Sequence, residues 1–305
     1  MLLLAVPAAV TACRLLDTDA VTPVPQLLSA FPWLTVPAGL AALLAAATGR
    51  RGLGLLAAVT LAATAWASLP YPARTTDPPG RTLARIKVIA SNVEIGGGTP
   101  ALAELIRREH PQLVFVSECD RACGRALTTA FATELPHRAA VDAAGSAGSL
   151  LLSAAPLRDR RNVPATMGMP GATADIAGVP VRLQLAHPVP PLAHQVPLWT
   201  RELDRVAATA ARWTGQALVA GDFNASQDHA AFRAVLDRGR LHDAARTAGV
   251  GRTPTWPLES FLPPFVQIDH VLVSDAFHVR SVRFADIAGS DHRAVVATLD
   301  LRAPP

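Results

Sequence analysis

The stretch 217-ALVAGDFNAS-226 starts as an apolar run and closes on an acid and an amide, Asp222 and Asn224, with only Phe223 between them. An unbroken apolar run of this kind is expected of a strand covered on both faces. It has counterparts along the chain. "RIKVIASN" (Arg85–Asn92), "QLVFVSE" (Gln112–Glu118), "SLLLS" (Ser149–Ser153), "PVRLQLAH" (Pro180–His187), "QIDHVLVS" (Gln267–Ser274) and "HRAVVATLDL" (His292–Leu301) read the same way. Between them lie helical stretches, Ala101–Glu109, Trp199–Trp213 and His229–Asp237. Strands interleaved with helices predict an α/β layered domain over residues 83–305. No internal repeat is visible in the sequence.

Ahead of that domain the texture is different. Half of the 305 residues are apolar and only 17% are charged, and the excess sits at the front. "FPWLTVPAGLAALLAAAT" (Phe31–Thr48) and "GLGLLAAVTLAATAWASL" (Gly52–Leu69) carry no charge and have about the minimum length for a membrane span. The turn between them holds Arg50 and Arg51, which mark it as cytoplasmic, and Trp33 and Trp66 fall near the outer ends. Met1–Leu16 is a shorter apolar stretch interrupted by Arg14. Residues 1–69 therefore read as a membrane region of two to three helices, with everything beyond Leu69 extracytoplasmic. Two other readings of the front are a lipoprotein-type cleavage box at "VTAC" and a pair of soluble core helices. Pro70–Thr82, rich in proline and without periodicity, reads as a linker.

Composition excludes several classes. Lys87 is the single lysine, the net charge is +4, and no dense basic arm marks a nucleic-acid tail. Three cysteines rule out a disulfide scaffold and a four-cysteine zinc site. Cys119 and Cys123 either bridge, if they face an oxidising compartment, or serve as small apolar fillers.

The recurring feature is a hydrophobic strand with a polar end. Asn92, Glu118, His187, Asp222 and Asn224 close their strands; Asp269 and the pair Asp291-His292 open theirs. Strand ends converge on one rim of a layered sheet, so these groups can share a cleft. Glu118, Asn92 and Asp291 are oxygen donors suited to Mg²⁺ or Mn²⁺ rather than zinc. On a strand Asp222 and Asn224 share a side, where an acid can orient water and an amide can donate to an oxyanion. Asp269 can fix the ring of His292. No G-x-S-x-G elbow supports a serine nucleophile.

"SNV", "VFVSE", "LAH", "GDFN", "IDHVLV" and "GSDHRAV", in this order, resemble the motifs of the endonuclease/exonuclease/phosphatase superfamily, and the N-terminal spans resemble a bacterial membrane-anchored subgroup of it. The resemblance implies a four-layered α/β (α+β) sandwich, two mostly antiparallel sheets face to face with helices outside. It implies Glu118 as principal metal ligand with Asn92 and Asp291 nearby, and His187 as a donor to phosphate. Asp222 and Asn224 then place the water and stabilise the transition state. His292, paired with Asp269, is an acid/base or phosphate donor, with Asp222 and His292 both open as the base. The implied reaction is metal-dependent hydrolysis of a phosphoester of nucleic acid or lipid, with no protein partner. The alternative is a catalytically silent membrane-bound scaffold.

Ser117 stands where the family often has Gln, and Ala154 stands in "GSLLLSAAP" where arginine is common. Trp256 is a candidate cleft residue. Glu94, near Asn92, reads as part of a flexible loop rather than a ligand, and His194 as a solvent-exposed loop residue rather than a substrate contact. His229, His242 and His278 carry no spacing signal, and His270 reads as packing.

Overall fold

The computed structural model describes residues 2–69, 80–258, 260–261 and 263–303. The N-terminal apolar segments form α1 (Leu2–Leu15), α2 (Val24–Ser29), α3 (Thr35–Ala47) and α4 (Arg51–Ser68), with a 3₁₀ turn over Phe31–Leu34. By length and composition, α4 alone among the described residues is long and apolar enough to cross a membrane. Its eighteen residues span about 27 Å. The expected span Phe31–Thr48 is corrected to the 3₁₀ turn plus a thirteen-residue helix. Pro37 has no N–H to donate to the Trp33 carbonyl, as a continuous α-helix from Phe31 would require. The first stretch is a fourteen-residue helix with Pro7 inside it. Apart from Gly80–Thr82 the expected linker lies outside the described residues, and Thr82 already opens the first strand.

The remainder of the chain builds two six-stranded sheets. In chain order the strands are β1 (Thr82–Asn92), β2 (Leu113–Ser117), β3 (His137–Val141), β4 (Ser149–Ser153), β5 (Leu157–Asn162), β6 (Pro170–Ile176), β7 (Val179–Ala186), β8 (Gln216–Asp222), β9 (His242–Asp243), β10 (Asp269–Val273), β11 (Phe277–Asp286) and β12 (Arg293–Arg302). The first sheet runs β11-β12-β1-β2-β4-β3 and the second β5-β6-β7-β8-β10-β9. Each is mixed: β1 and β2 are parallel, β7 and β8 are parallel, and the other neighbours are antiparallel.

Helices α5 (Thr99–Glu109) and α7 (Val196–Ala211) cross over between the strands of each parallel pair, as a parallel connection requires. α6 (Arg121–Ala130), α8 (Ala230–Gly239) and the short α9 (Ala244–Thr247) follow β2, β8 and β9. α5 turns Leu102, Leu105 and Ile106, at i, i+3 and i+4, onto the first sheet. α7 packs Trp199, Leu203 and Val206 onto the second. Asp120 caps α6 by accepting from the Cys123 N–H at 2.8 Å. The inner faces, Phe115 and Leu151 from one sheet and Leu183, Leu218 and Val271 from the other, share one core. Separate cores lie under α5 and α6 and under α7 and α8. The order helix, sheet, sheet, helix is the expected four-layered sandwich.

Candidate active site

Both parallel pairs end at the same rim, and there the polar strand ends meet. Asn92 closes β1, and its Nδ2 donates to Glu118 Oε1 at 3.2 Å and to Asp222 Oδ2 at 3.1 Å, joining the two sheets. Its Oδ1 accepts from the Glu94 N–H at 3.0 Å. Glu118 lies one residue beyond β2 at φ +55°, a left-handed bend that turns its carboxylate into the cleft. Cys119 is bridged to Cys123 by a disulfide just behind it. Gly148 lies against this bend so closely that a Cβ there would meet the Cys119 carbonyl oxygen at 2.2 Å.

From the second sheet, His187 follows β7 and Asp222 ends β8. Gly221, at φ +142°, lets the two strands close up, since a Cβ would stand 2.3 Å from the Ala186 carbonyl oxygen. His187 is fully buried, with Nε2 3.8 Å from Glu118 Oε1 and 4.0 Å from Asp222 Oδ2. Neither of its ring nitrogens has a hydrogen-bond partner among the described residues. A buried unpaired donor aimed between two carboxylates marks a place for a ligand. Asp269 opens β10 directly opposite Asp222 in the ladder, and its Oδ2 accepts from His292 Nδ1 at 2.9 Å. His292 Nε2 lies 3.9 Å from Asp222 Oδ2 and 3.7 Å from Asp291 Oδ1.

Burial and neighbours decide the charge states. Burial pushes Glu118 up, only partly opposed by the Asn92 hydrogen bond, and Asp222 pushes it further. Burial likewise raises Asp222, against the pull of His292. His187 is pushed down to about 4 by burial and is neutral at pH 7. Burial works against charge on His292 too, but Asp269, Asp222 and Asp291 more than reverse it and hold the imidazolium up to about 10.

The structure differs from the sequence reading at Asn224. β8 ends at Asp222, and Asn224 is in the left-handed region at φ +46°, so the two do not alternate along a strand. Instead the Asn224 N–H donates to Asp222 Oδ1 at 2.8 Å, and Asn224 Nδ2 donates to the Pro188 carbonyl at 3.0 Å. This turn is a common habit of Asp, which bonds its own backbone two residues on. Asp291 is at the rim, with Oδ2 accepting from Trp256 Nε1 at 2.8 Å. Trp256 thus orients a site residue. His270 is buried as expected, with its ring tied to the Asp243 carboxylate at 2.9 Å and the Ala225 carbonyl at 3.1 Å. His194 is exposed.

Three residues support the site in roles that the sequence does not show. Glu94 accepts from the Asp291 N–H at 3.0 Å, tying the loop after β1 to the end of the site. Ser290, fully buried, donates to the Asn92 carbonyl at 2.8 Å and accepts from the His292 N–H at 3.1 Å. Glu202, fully buried on α7, accepts from the Thr166 and Val189 N–H groups at 2.7 and 2.9 Å and so fixes the segment after His187. Each acts through a bond to backbone remote in sequence, which no local spacing reports.

The donor set suits a hard divalent cation. Asp222, Asp269 and His292 each offer a ligand atom within 4.8 Å of the others. Beside them the positive end of the Asn92 amide sits between the carboxylates of Glu118 and Asp222, where positive charge relieves their repulsion. Asp269 and His292 are already bonded to each other, whereas the Glu118 side chain is one-fifth exposed and faces the cleft.

The Endonuclease/Exonuclease/phosphatase family matches residues 91–292. Among solved structures, an endonuclease/exonuclease/phosphatase from Beutenbergia cavernae superposes with a TM-score of 0.58 at 18% identity, covering 74% of this chain and 73% of that one. A 3′ phosphatase from Neisseria, bound to a product DNA hairpin, gives 0.56 at 19% identity over 70% of this chain and 99% of its own. Sphingomyelinase C from Streptomyces griseocarneus gives 0.53 at 16% identity over 70% and 99%. These likenesses establish a shared fold. No curated protein matches the chain.

Proposed function

The chain belongs to the endonuclease/exonuclease/phosphatase family and is a phosphoester hydrolase, and from that premise we propose a membrane-anchored, extracytoplasmic, Mg²⁺- or Mn²⁺-dependent phosphoesterase. The observation that carries the site is the convergence of Asn92, His187 and His292 within 4.0 Å of one Asp222 oxygen. Glu118, with Asn92 and Asp291, would hold the divalent cation, which would supply Lewis-acid polarisation of the phosphoryl group. Neutral His187 donates a hydrogen bond to a non-bridging phosphate oxygen. Asp222, raised by burial, accepts the proton of a water attacking phosphorus in line. His292 is protonated at pH 7 and therefore serves as donor, giving its Nε2 proton to the departing ester oxygen as the P–O bond breaks. Asn224, anchored to Pro188, keeps one amide hydrogen for the developing charge.

Two features support the placement. The Cys119–Cys123 disulfide belongs to an oxidising compartment. Arg50 and Arg51 lie at the opposite end of α4 from Ala67, whose carbonyl accepts from Arg252 of the catalytic domain at 3.0 Å. Basic residues at the far end from the domain fit a cytoplasmic loop.

The test uses the full chain in detergent with bis-p-nitrophenyl phosphate. Turnover is expected with Mg²⁺ or Mn²⁺, absent with EDTA, and reduced at least 100-fold in Glu118→Ala. Metal-independent turnover, or none in wild type, overturns the assignment. An inactive C-terminal alkaline phosphatase fusion would reverse the orientation.

A further inference from the structure

The rim that carries the site also carries the N-terminal helices. Three segments leave that rim of the second sheet: 188–195 after β7, 223–229 after β8 and 252–268 before β10. Polar contacts from the helical layer land on all three or on the start of α8. Thr22 Oγ1 donates to the Ala193 carbonyl at 2.8 Å and Gln26 Nε2 to the Pro191 carbonyl. His229 accepts from the Ser226 N–H through Nδ1, so its Nε2 donates to the Pro25 carbonyl at 2.9 Å. Asp19 accepts from the Ala231 N–H at 2.9 Å. Arg14 at the end of α1 and Arg252 of the catalytic domain both hold Asp228, at 3.2 and 2.6 Å, with Arg14 and Asp228 buried. A charge cluster desolvated between two layers holds a defined geometry, because loss of one partner strands the others.

The end of the helical layer that docks here is the one where α1 and α4 finish and α3 begins. It carries Trp33 and Trp66, both exposed, as in the aromatic belt of a membrane interface, and below them α3 and α4 expose Leu40, Leu43, Leu55 and Leu56. Two of the rim segments carry bare apolar residues: Leu192 is half-exposed and Phe261 is 95% exposed. Described residues on either side of Phe261 reach the site and the helices. At one root Trp256 and Leu258 bind Asp291, through its Oδ2 and its carbonyl. At the other root Phe265, Val266 and Gln267 line a small cavity with Ser29 and Pro32.

We propose that the phosphoester is carried by a lipid of the bilayer that holds the helices, and that it enters the cleft from the leaflet past Leu192 and Phe261, both seated at the headgroup–acyl boundary. The proposal rests on the membrane-anchored hydrolase reading above. Arg14, Arg233 and Arg252, arginines of this junction, are engaged on Asp17 and Asp228, so the entrance offers apolar surface to its substrate.

The test uses the full chain in vesicles of phosphatidylcholine, phosphatidylethanolamine, phosphatidylglycerol, cardiolipin and sphingomyelin, with phosphate-headgroup release measured beside turnover of soluble bis-p-nitrophenyl phosphate. The expected result is release from at least one lipid, reduced tenfold or more by Phe261→Asp with Leu192→Asp, while soluble turnover stays within twofold. Phe261→Leu restores lipid turnover. No release from any lipid, or release indifferent to these variants, overturns the proposal. So does a single-stranded oligodeoxynucleotide cut faster than every lipid and weakened by Phe261→Asp, since an exposed ring can also stack on bases. If soluble turnover is absent the hydrolase reading fails, and if the protein does not float with vesicles the membrane reading fails; either failure is distinguishable from loss of lipid turnover alone, and each removes this proposal with it.

Discussion

The two sheets share one strand plan, and the carboxylates along it meet opposite fates. In each, a central parallel pair bridged by a helix is flanked by antiparallel neighbours. Where the first sheet pairs Ser117 with Ser149 at the rim, the second pairs Asp222 with Asp269. Besides Glu118, Asp291 and His292 at the rim, the first sheet holds two carboxylates away from it, each among cations. Asp300 of β12 is held between Arg85 and Arg280, and Glu109 at the end of α5 between Lys87 and Arg283. Burial pushes both of these carboxyls up, but the cationic partners overcome it and hold each at about 2. Asp222 is raised instead, by burial and by Asp269, against the pull of His292. One backbone plan thus supports a structural carboxylate where cations surround it and a proton acceptor where they do not.

Three variants would break or sharpen that contrast. Asp222→Asn keeps shape and burial but removes the proton acceptor, so kcat should fall by about 1,000-fold with the thermal melt unchanged or raised. An unaffected kcat would remove Asp222 from the chemistry. Asp269→Asn should cost about 100-fold, and the alkaline limb of the pH–rate profile should move down from near 10 toward the ordinary histidine range. Because the folded His292 is raised, its contribution to stability is complete below about 6.5 and disappears as pH climbs through about 10. A histidine resonance that titrates identically in both proteins would refute the pairing. Asp300→Asn should leave kcat alone and cost about 2 kcal/mol at pH 7. Asp300 is depressed on folding, so its contribution is present above about 4 and is lost as pH falls through about 2. Denaturant melts of the two proteins should therefore converge in acid.

Much of this was legible in sequence because it is local. The apolar runs became β1, β2, β4, β7, β8, β10 and β12, and their polar ends marked the rim. β5 was hidden because its residues after Leu157 are exposed and mostly charged. β3, β6 and β11 were not read either, and the matching plan of the two sheets left no repeat of residues to detect. Asn224 was placed on a strand because alternation was extended two residues too far, past a turn that the Asp222 side chain itself stabilises. Ser290 sat inside a quoted motif, yet its role depends on Asn92, 198 positions away.

By itself the sequence determined which segments become strands, which residues stand at their ends, and the family to which the pattern belongs. All of these follow from short-range periodicity and from residue type. The tertiary structure alone decided that His292 is charged and His187 neutral, because charge state depends on burial and on acids brought in from other strands. It also decided that Cys119 and Cys123 bridge, and that the apolar helices dock on the catalytic rim through Arg14, Asp228 and Arg252. Those outcomes are set by distances between parts of the chain that no spacing along it encodes.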